Sequence, residues 1–136
     1  MSKHKYLNDL GIEDKDLPWN WNKKDDRHPA WKEERAVYGF DERDSWSMKY
    51  TLTLITYERL KYFRDFAPVE MDKVGIAHDY IFGGKELTLG QALDRILSSF
   101  ANYITQDGTM EWHNKEYREY QRCWSLLGVI MPSLWW

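Results

Sequence analysis

Cysteine is almost missing from this chain: the single Cys123 among 136 residues has no partner for an intramolecular disulfide, so an oxidised scaffold is excluded. A reducing compartment is the default. Apolar runs are short as well, none approaching the roughly 20 residues of a membrane span, and the opening MSKHKYLNDLG lacks the apolar core of a signal peptide. A soluble cytoplasmic protein, with no membrane partner, is therefore expected. An excess of one charge is also absent. The 22 acidic and 19 basic side chains are interspersed and leave a formal charge of −3, which speaks against non-specific nucleic-acid binding and leaves room only for a local basic patch.

Catalytic signatures are equally sparse. Gly83-Gly84-Lys85 lacks the glycine spacing and the following Ser or Thr of a phosphate loop, so it reads as a tight turn. Ser45, Ser47, Ser98, Ser99 and Ser125 lie in no nucleophile elbow, and Cys123, in a helical pattern, reads as a small core residue. No Glu-x-x-His pattern of a diiron site occurs. For a metal, the weak candidates are the adjacent His78 and Asp79, with Glu111, His113 and Glu116 further on; structural or solvent-facing roles explain these residues better. No cofactor is expected.

Aromatic residues are what the chain has in plenty. Eight Trp, nine Tyr and five Phe make 16% of the residues, enough to fill a small helical core or to build a binding surface. The order of the sequence separates these uses. Residues 1–37 contain Pro18, Pro29 and a mixed charge run without sustained period, which predicts an irregular Trp-rich arm. Short helices over residues 8–16 and 30–37 fit within it, the second with Pro29 in its first turn. Trp19, Trp21 and Trp31 argue against disorder and should pin the arm to the remainder, a helical domain over residues 38–136.

That domain is expected to be all-α with three principal helices. Residues 38–66 read as one long helix with two apolar stripes, Trp46, Tyr50, Leu54, Tyr57 and Leu60 on one and Met48, Leu52, Ile55, Tyr62, Phe63 and Phe66 on the other. Both stripes should be covered. Asp41 or Asp44 starts the helix and Pro68 stops it by Ala67; Arg59, inside an apolar stripe, should pair with a carboxylate, while Glu58 and Asp65 face water. A long connection over 67–87, with a short helix at 69–74, precedes a second helix capped by Thr88 and Gln91, whose face Leu89, Ala92, Leu93, Ile96, Leu97, Phe100 and Ile104 is buried. Asp107-Gly108 ends it. A third helix over about 110–131 should carry Tyr117, Tyr120, Trp124, Leu127 and Met131 on one stripe, with Pro132 breaking it ahead of Leu134, Trp135 and Trp136. Those terminal residues dock into the domain or into a second copy, so a homo-oligomer is conceivable.

Three segments carry a resemblance: YGFDERDSWSMKYTLTLITYERLKYF, TLGQALDRILSSFANYI and YREYQRCWSLLGVIMPSLWW. Together they resemble a group of uncharacterised tailed-phage and prophage proteins in which a Gly-aromatic-Asp/Ser-x-x-Asp-x-Trp segment opens a long helix and a Leu-Trp pair closes the chain. The distinctive matches are Gly39, Asp44, Trp46, Tyr50 and Leu134-Trp135, and the sequence departs at Lys49, where an acidic residue is the pattern. The resemblance implies a phage setting and no activity.

Together these features point to a non-enzymatic phage accessory protein that acts by binding, either inhibiting a host or defence protein or sequestering a small ligand. The expected binding residues are Trp19, Trp21 and Trp31 with the interleaved Lys23, Lys24, Arg27, Lys32 and Arg35, since rings beside cations anchor protein partners or stack on planar groups. Two alternatives stand beside this: a metal-dependent hydrolase of nucleotides or nucleic acid with His78 and Asp79 as ligands, and a virion structural component.

Overall fold

The computed structural model describes residues 3–72, 80–82, 85–106 and 114–136. His78, Asp79, Gly83-Gly84, Asp107-Gly108, Glu111 and His113, named above, lie outside them. The chain is mostly helical, as expected, but six α-helices are described instead of three, and a two-stranded hairpin interrupts the all-α pattern. Two compact units are distinguished, Met1–Ile55 and Thr56–Trp136.

The first unit is more regular than an arm. Helix α1 (Lys5–Asp9) and two 3-10 turns, Asp14–Asp16 and Pro18–Asn20, bury Leu7, Ile12, Leu17 and Pro18. Side-chain bonds tie these turns together: the Asn20 amide donates to the Asp14 carbonyl at 2.6 Å, and the Trp21 indole N–H donates to the Asp16 carbonyl at 2.9 Å. Helix α2 (His28–Tyr38) takes Pro29 in its first turn, where a missing N–H costs nothing. It ends at Gly39, whose φ of +83° only glycine adopts without strain.

The long helix expected over residues 38–66 is therefore three pieces. Tyr38 closes α2, α3 (Glu42–Trp46) follows the Gly39 turn, and Ser47, at φ −132° and ψ 62°, breaks the helix before α4 (Met48–Phe66). The break changes the phase of Trp46, which is exposed on its outer side instead of sharing the buried stripe. Along α4, Tyr50, Leu54, Tyr57 and Leu60 are buried as expected. The second stripe is covered only in part: Ile55 and Phe63 are half-buried, while Met48, Leu52, Tyr62 and Phe66 are exposed, and so is Arg59 in their midst. One buried face suffices for α4, because Thr51 and Thr53 widen it with polar side chains that are themselves buried, the Thr53 hydroxyl donating to the Lys49 carbonyl at 2.7 Å.

In the second unit the residues of 67–72 form no helix, contrary to the short helix expected from 69. Strands β1 (Tyr80–Phe82) and β2 (Lys85–Leu87) pair antiparallel with Phe82 opposite Lys85. Helix α5 (Leu89–Thr105) then starts on the expected capping box: the Gln91 N–H donates to the Thr88 hydroxyl at 3.2 Å and the Gln91 side chain accepts from the Thr88 N–H at 3.0 Å. Gly90 is needed beside it. Its N–H donates to the Met71 carbonyl at 2.7 Å, and a Cβ there would stand 2.8 Å from the Asp72 carboxylate.

Helix α6 (Lys115–Ile130) packs on α5 through aromatic rings, Tyr103 stacking on Tyr120 at 4.1 Å and Phe100 lying 4.7 Å from Trp124. The buried face of α6 holds Tyr117, Tyr120, Cys123, Leu126, Leu127 and Ile130, so Met131, expected on it, is instead exposed in a 3-10 turn with Pro132. Burial pushes the Cys123 thiol up to about 11, which keeps it an unreactive core group.

At the C-terminus Trp136 stacks on Tyr62 at 6.1 Å and meets Phe63 edge-on at 6.4 Å, while Trp135 is 76% exposed. Docking within the chain is thus partial. Deleting residues 134–136 is expected to lower stability by about 1 kcal/mol, the worth of such ring pairs, and the melting temperature by about 4 °C. Calorimetry alongside light scattering checks this; unchanged stability with dissociation of an oligomer would assign the tail to a subunit interface instead.

Candidate functional site

The site with the most organised polar chemistry lies in the first unit, where α2 and α3 meet around Trp31. Gly39 reverses the chain so that Asp41, the N-cap of α3, comes back beside α2. Asp41 accepts from the Arg43 backbone N–H at 3.0 Å, and the Asp44 carboxylate accepts from the Asp41 N–H at 2.9 Å. The capping carboxylates have a second role. Two arginines converge on them, Arg43 from the next turn and Arg35 from one turn before the end of α2.

Arg43 is buried and fully engaged. Its Nε and Nη2 donate to the two oxygens of Asp41 at 3.0 and 2.8 Å, its Nη1 donates to the Trp21 carbonyl at 2.8 Å, and its guanidinium lies 4.5 Å from the Trp31 ring. Arg35 donates through Nη2 to Asp41 at 3.0 Å and to Asp44 at 2.7 Å. Burial alone would raise the Asp41 carboxyl, which is 1% exposed, but the bonds from Arg43 and then Arg35 outweigh it and hold it at about 2. Asp41 is ionised at every physiological pH and already saturated with donors. It offers no proton and no free base.

The aromatic part is built on the same frame. Trp31 is 1% exposed, donates its indole N–H to Glu42 at 3.3 Å, and packs edge-on against Trp46 at 5.6 Å. Arg27 covers both rings, 5.0 Å from Trp31 and 5.1 Å from Trp46, and is held there by Asp25 at 2.8 Å. That bond holds the Asp25 carboxyl well below the usual carboxylate range.

Beside this cluster opens a cleft of about 740 Å³. Trp31, Asp41 and Arg43 contribute buried side chains to it, and Trp19, His28, Pro29, Lys32 and Arg35 contribute more accessible ones. Its volume falls in the range of small-ligand sites, which combine apolar walls with a few placed polar groups. The chemistry available is recognition: ring faces and cations attract planar or anionic groups, and the carboxylates are committed to arginine. Among the described residues no three His, Cys, Asp or Glu side chains are grouped so as to hold a metal.

Of the residues expected to bind, the structure brings Trp19, Trp31, Lys32 and Arg35 to the cleft. Trp21 contributes its carbonyl to Arg43 and not its ring to the lining, Arg27 sits over Trp31 and Trp46, and Lys23 and Lys24 are exposed away from the lining. Sequence reasoning passed over Arg43 and treated Asp41 and Asp44 as caps alone. The spacing Asp-x-Arg-Asp carried the signal, since a capping Asp is within reach of an Arg two residues on.

No protein-family model, curated protein or solved structure matches the chain.

Proposed function

We propose that the chain is a small phage-encoded accessory protein that acts in the host-cell cytoplasm by binding, inhibiting a host or defence protein or sequestering a small ligand through the Trp19–Arg35 cleft. The observation that carries this is the cleft itself: accessible Trp19, Lys32 and Arg35 beside a rigid Trp31–Arg43–Asp41 base. A rigid base lowers the entropic cost of capture. The phage setting rests on the resemblance at Gly39, Asp44, Trp46, Tyr50 and Leu134-Trp135, which no other comparison tests. The exposed stripe of α4 adds apolar surface of the kind a protein partner covers.

The test separates rings that pack from rings that bind. Trp31→Ala would unfold the base, so the informative variant is Trp19→Leu with Lys32→Ala, which keeps an apolar group where the half-buried Trp19 packs beside His4 and removes the exposed cation. Expected is a protein that stays folded, with a loss of about 1–2 kcal/mol from the half-buried ring, and loses its partner. The partner is first identified by native mass spectrometry and pulldown from infected cells, then bound in purified form. Undiminished binding by the double variant would remove the cleft from the mechanism, and stoichiometric incorporation of the protein into purified virions would favour a structural role.

A further inference from the structure

A second cleft, of about 740 Å³, runs between α5 and α6 in the second unit and differs from the first in being strongly charged. Four cations line it, Arg95 from α5 and Lys115, Arg118 and Arg122 from α6, against two carboxylates, Glu116 and Glu119. Among the described lining residues the cations outnumber the carboxylates by two, on a chain whose total is −3. Both carboxylates are already engaged: Glu119 accepts from Arg95 Nε and Nη2 at 2.6 and 3.2 Å, and Glu116 accepts from the Gln106 amide at 2.9 Å.

Lys115, Arg118 and Arg122 stand at i, i+3 and i+7, which puts them in one row on one face of α6, spanning about 10 Å along its axis. All three are exposed. An anion seated among them is attracted by all three at once. Asn102, exposed on the α5 side, adds an amide donor to the same cleft.

We propose that the α5–α6 cleft is a binding site for a polyphosphate group, such as the triphosphate of a nucleotide. Guanidinium forks match phosphate oxygens in pairs, and three cations within about 10 Å suit a compact chain of phosphates. Among the described residues that line this cleft none is aromatic, so the phosphates carry the recognition that these residues provide. A groove for single-stranded nucleic acid would instead pair cations with rings along an extended track, and titration with an oligonucleotide distinguishes the two. The site is independent of the Trp19–Arg35 cleft: its residues belong to the other compact unit.

The experiment is isothermal titration of the full chain with sodium tripolyphosphate, with ATP, with AMP and with a single-stranded oligonucleotide. Expected are saturable one-to-one binding of tripolyphosphate and ATP below about 1 mM, much weaker binding of AMP, and affinity that falls as salt is raised. Arg118→Gln with Arg122→Gln should weaken tripolyphosphate binding at least tenfold while circular dichroism and melting temperature stay as in wild type. Lys115→Gln alone provides a second variant with a smaller loss. No binding of tripolyphosphate at low salt, or binding unchanged in the double variant, would overturn the proposal. Binding of the oligonucleotide alone, lost in the double variant, would overturn it in favour of a nucleic-acid backbone.

Discussion

Leu54→Ala is expected to lower the free energy of unfolding by about 2–5 kcal/mol, and Leu52→Ala, two residues away on the same helix, by no more than about 0.5 kcal/mol. The contrast follows from burial. Leu54 is 0% exposed and its truncation leaves a cavity, whereas Leu52 is 47% exposed and its truncation mostly exchanges one wet surface for another. Urea denaturation of the two variants reads the difference as a shift of midpoint at constant slope. Equal losses would mean that the Met48, Leu52, Tyr62 and Phe66 stripe is covered in solution, by a second copy or by another partner, and the dependence of the midpoint on protein concentration would then tell these apart.

Arg43→Met should cost more than any surface substitution, about 3–5 kcal/mol, because it strands the Asp41 carboxylate in a site that is 1% exposed. Arg35 remains beside that carboxylate but does not replace the paired bonds that Arg43 makes. Asp41→Asn together with Arg43→Met should recover part of the loss, since a neutral amide tolerates burial better than an unpaired charge. The same pair predicts an acid limb. Asp41 has its carboxyl lowered from 3.8 to about 2 in the folded chain, so its contribution is complete above pH 3.8 and disappears as pH falls towards 2. About 2 kcal/mol is involved. Wild-type stability measured between pH 5 and 2 should therefore fall more steeply than that of Asp41→Asn, and parallel curves would show that Asp41 is not held ionised by its arginines.

Several features of this molecule were legible from short stretches because their causes are local. Thr88 and Gln91 satisfy each other's backbone partners within four residues, so the start of α5 is written in the TLGQ segment. The buried face of α5 follows from spacing alone, since a strongly amphipathic helix has one face to bury. Pro29 in the first turn of α2, the end of α4 before Pro68, and the buried Cys123 are of the same kind.

What tertiary structure decided is where spacing allowed two outcomes. Two apolar stripes on residues 48–66 are both consistent with a period of 3.6, and nothing within the helix says which face finds a neighbour; packing chose Tyr50, Leu54, Tyr57 and Leu60. The break at Ser47 was hidden because serine is tolerated in helices, and the capping box at Asp41 and Asp44 took part of the segment into a separate turn. The hairpin was hidden because three-residue strands are too short to show a period of two. The same holds for the candidate site. Composition announced that rings and cations share residues 19–35, but Arg43 meets the Trp21 carbonyl 22 residues away and the Trp31 ring 12 residues away, and only the folded chain brings these together.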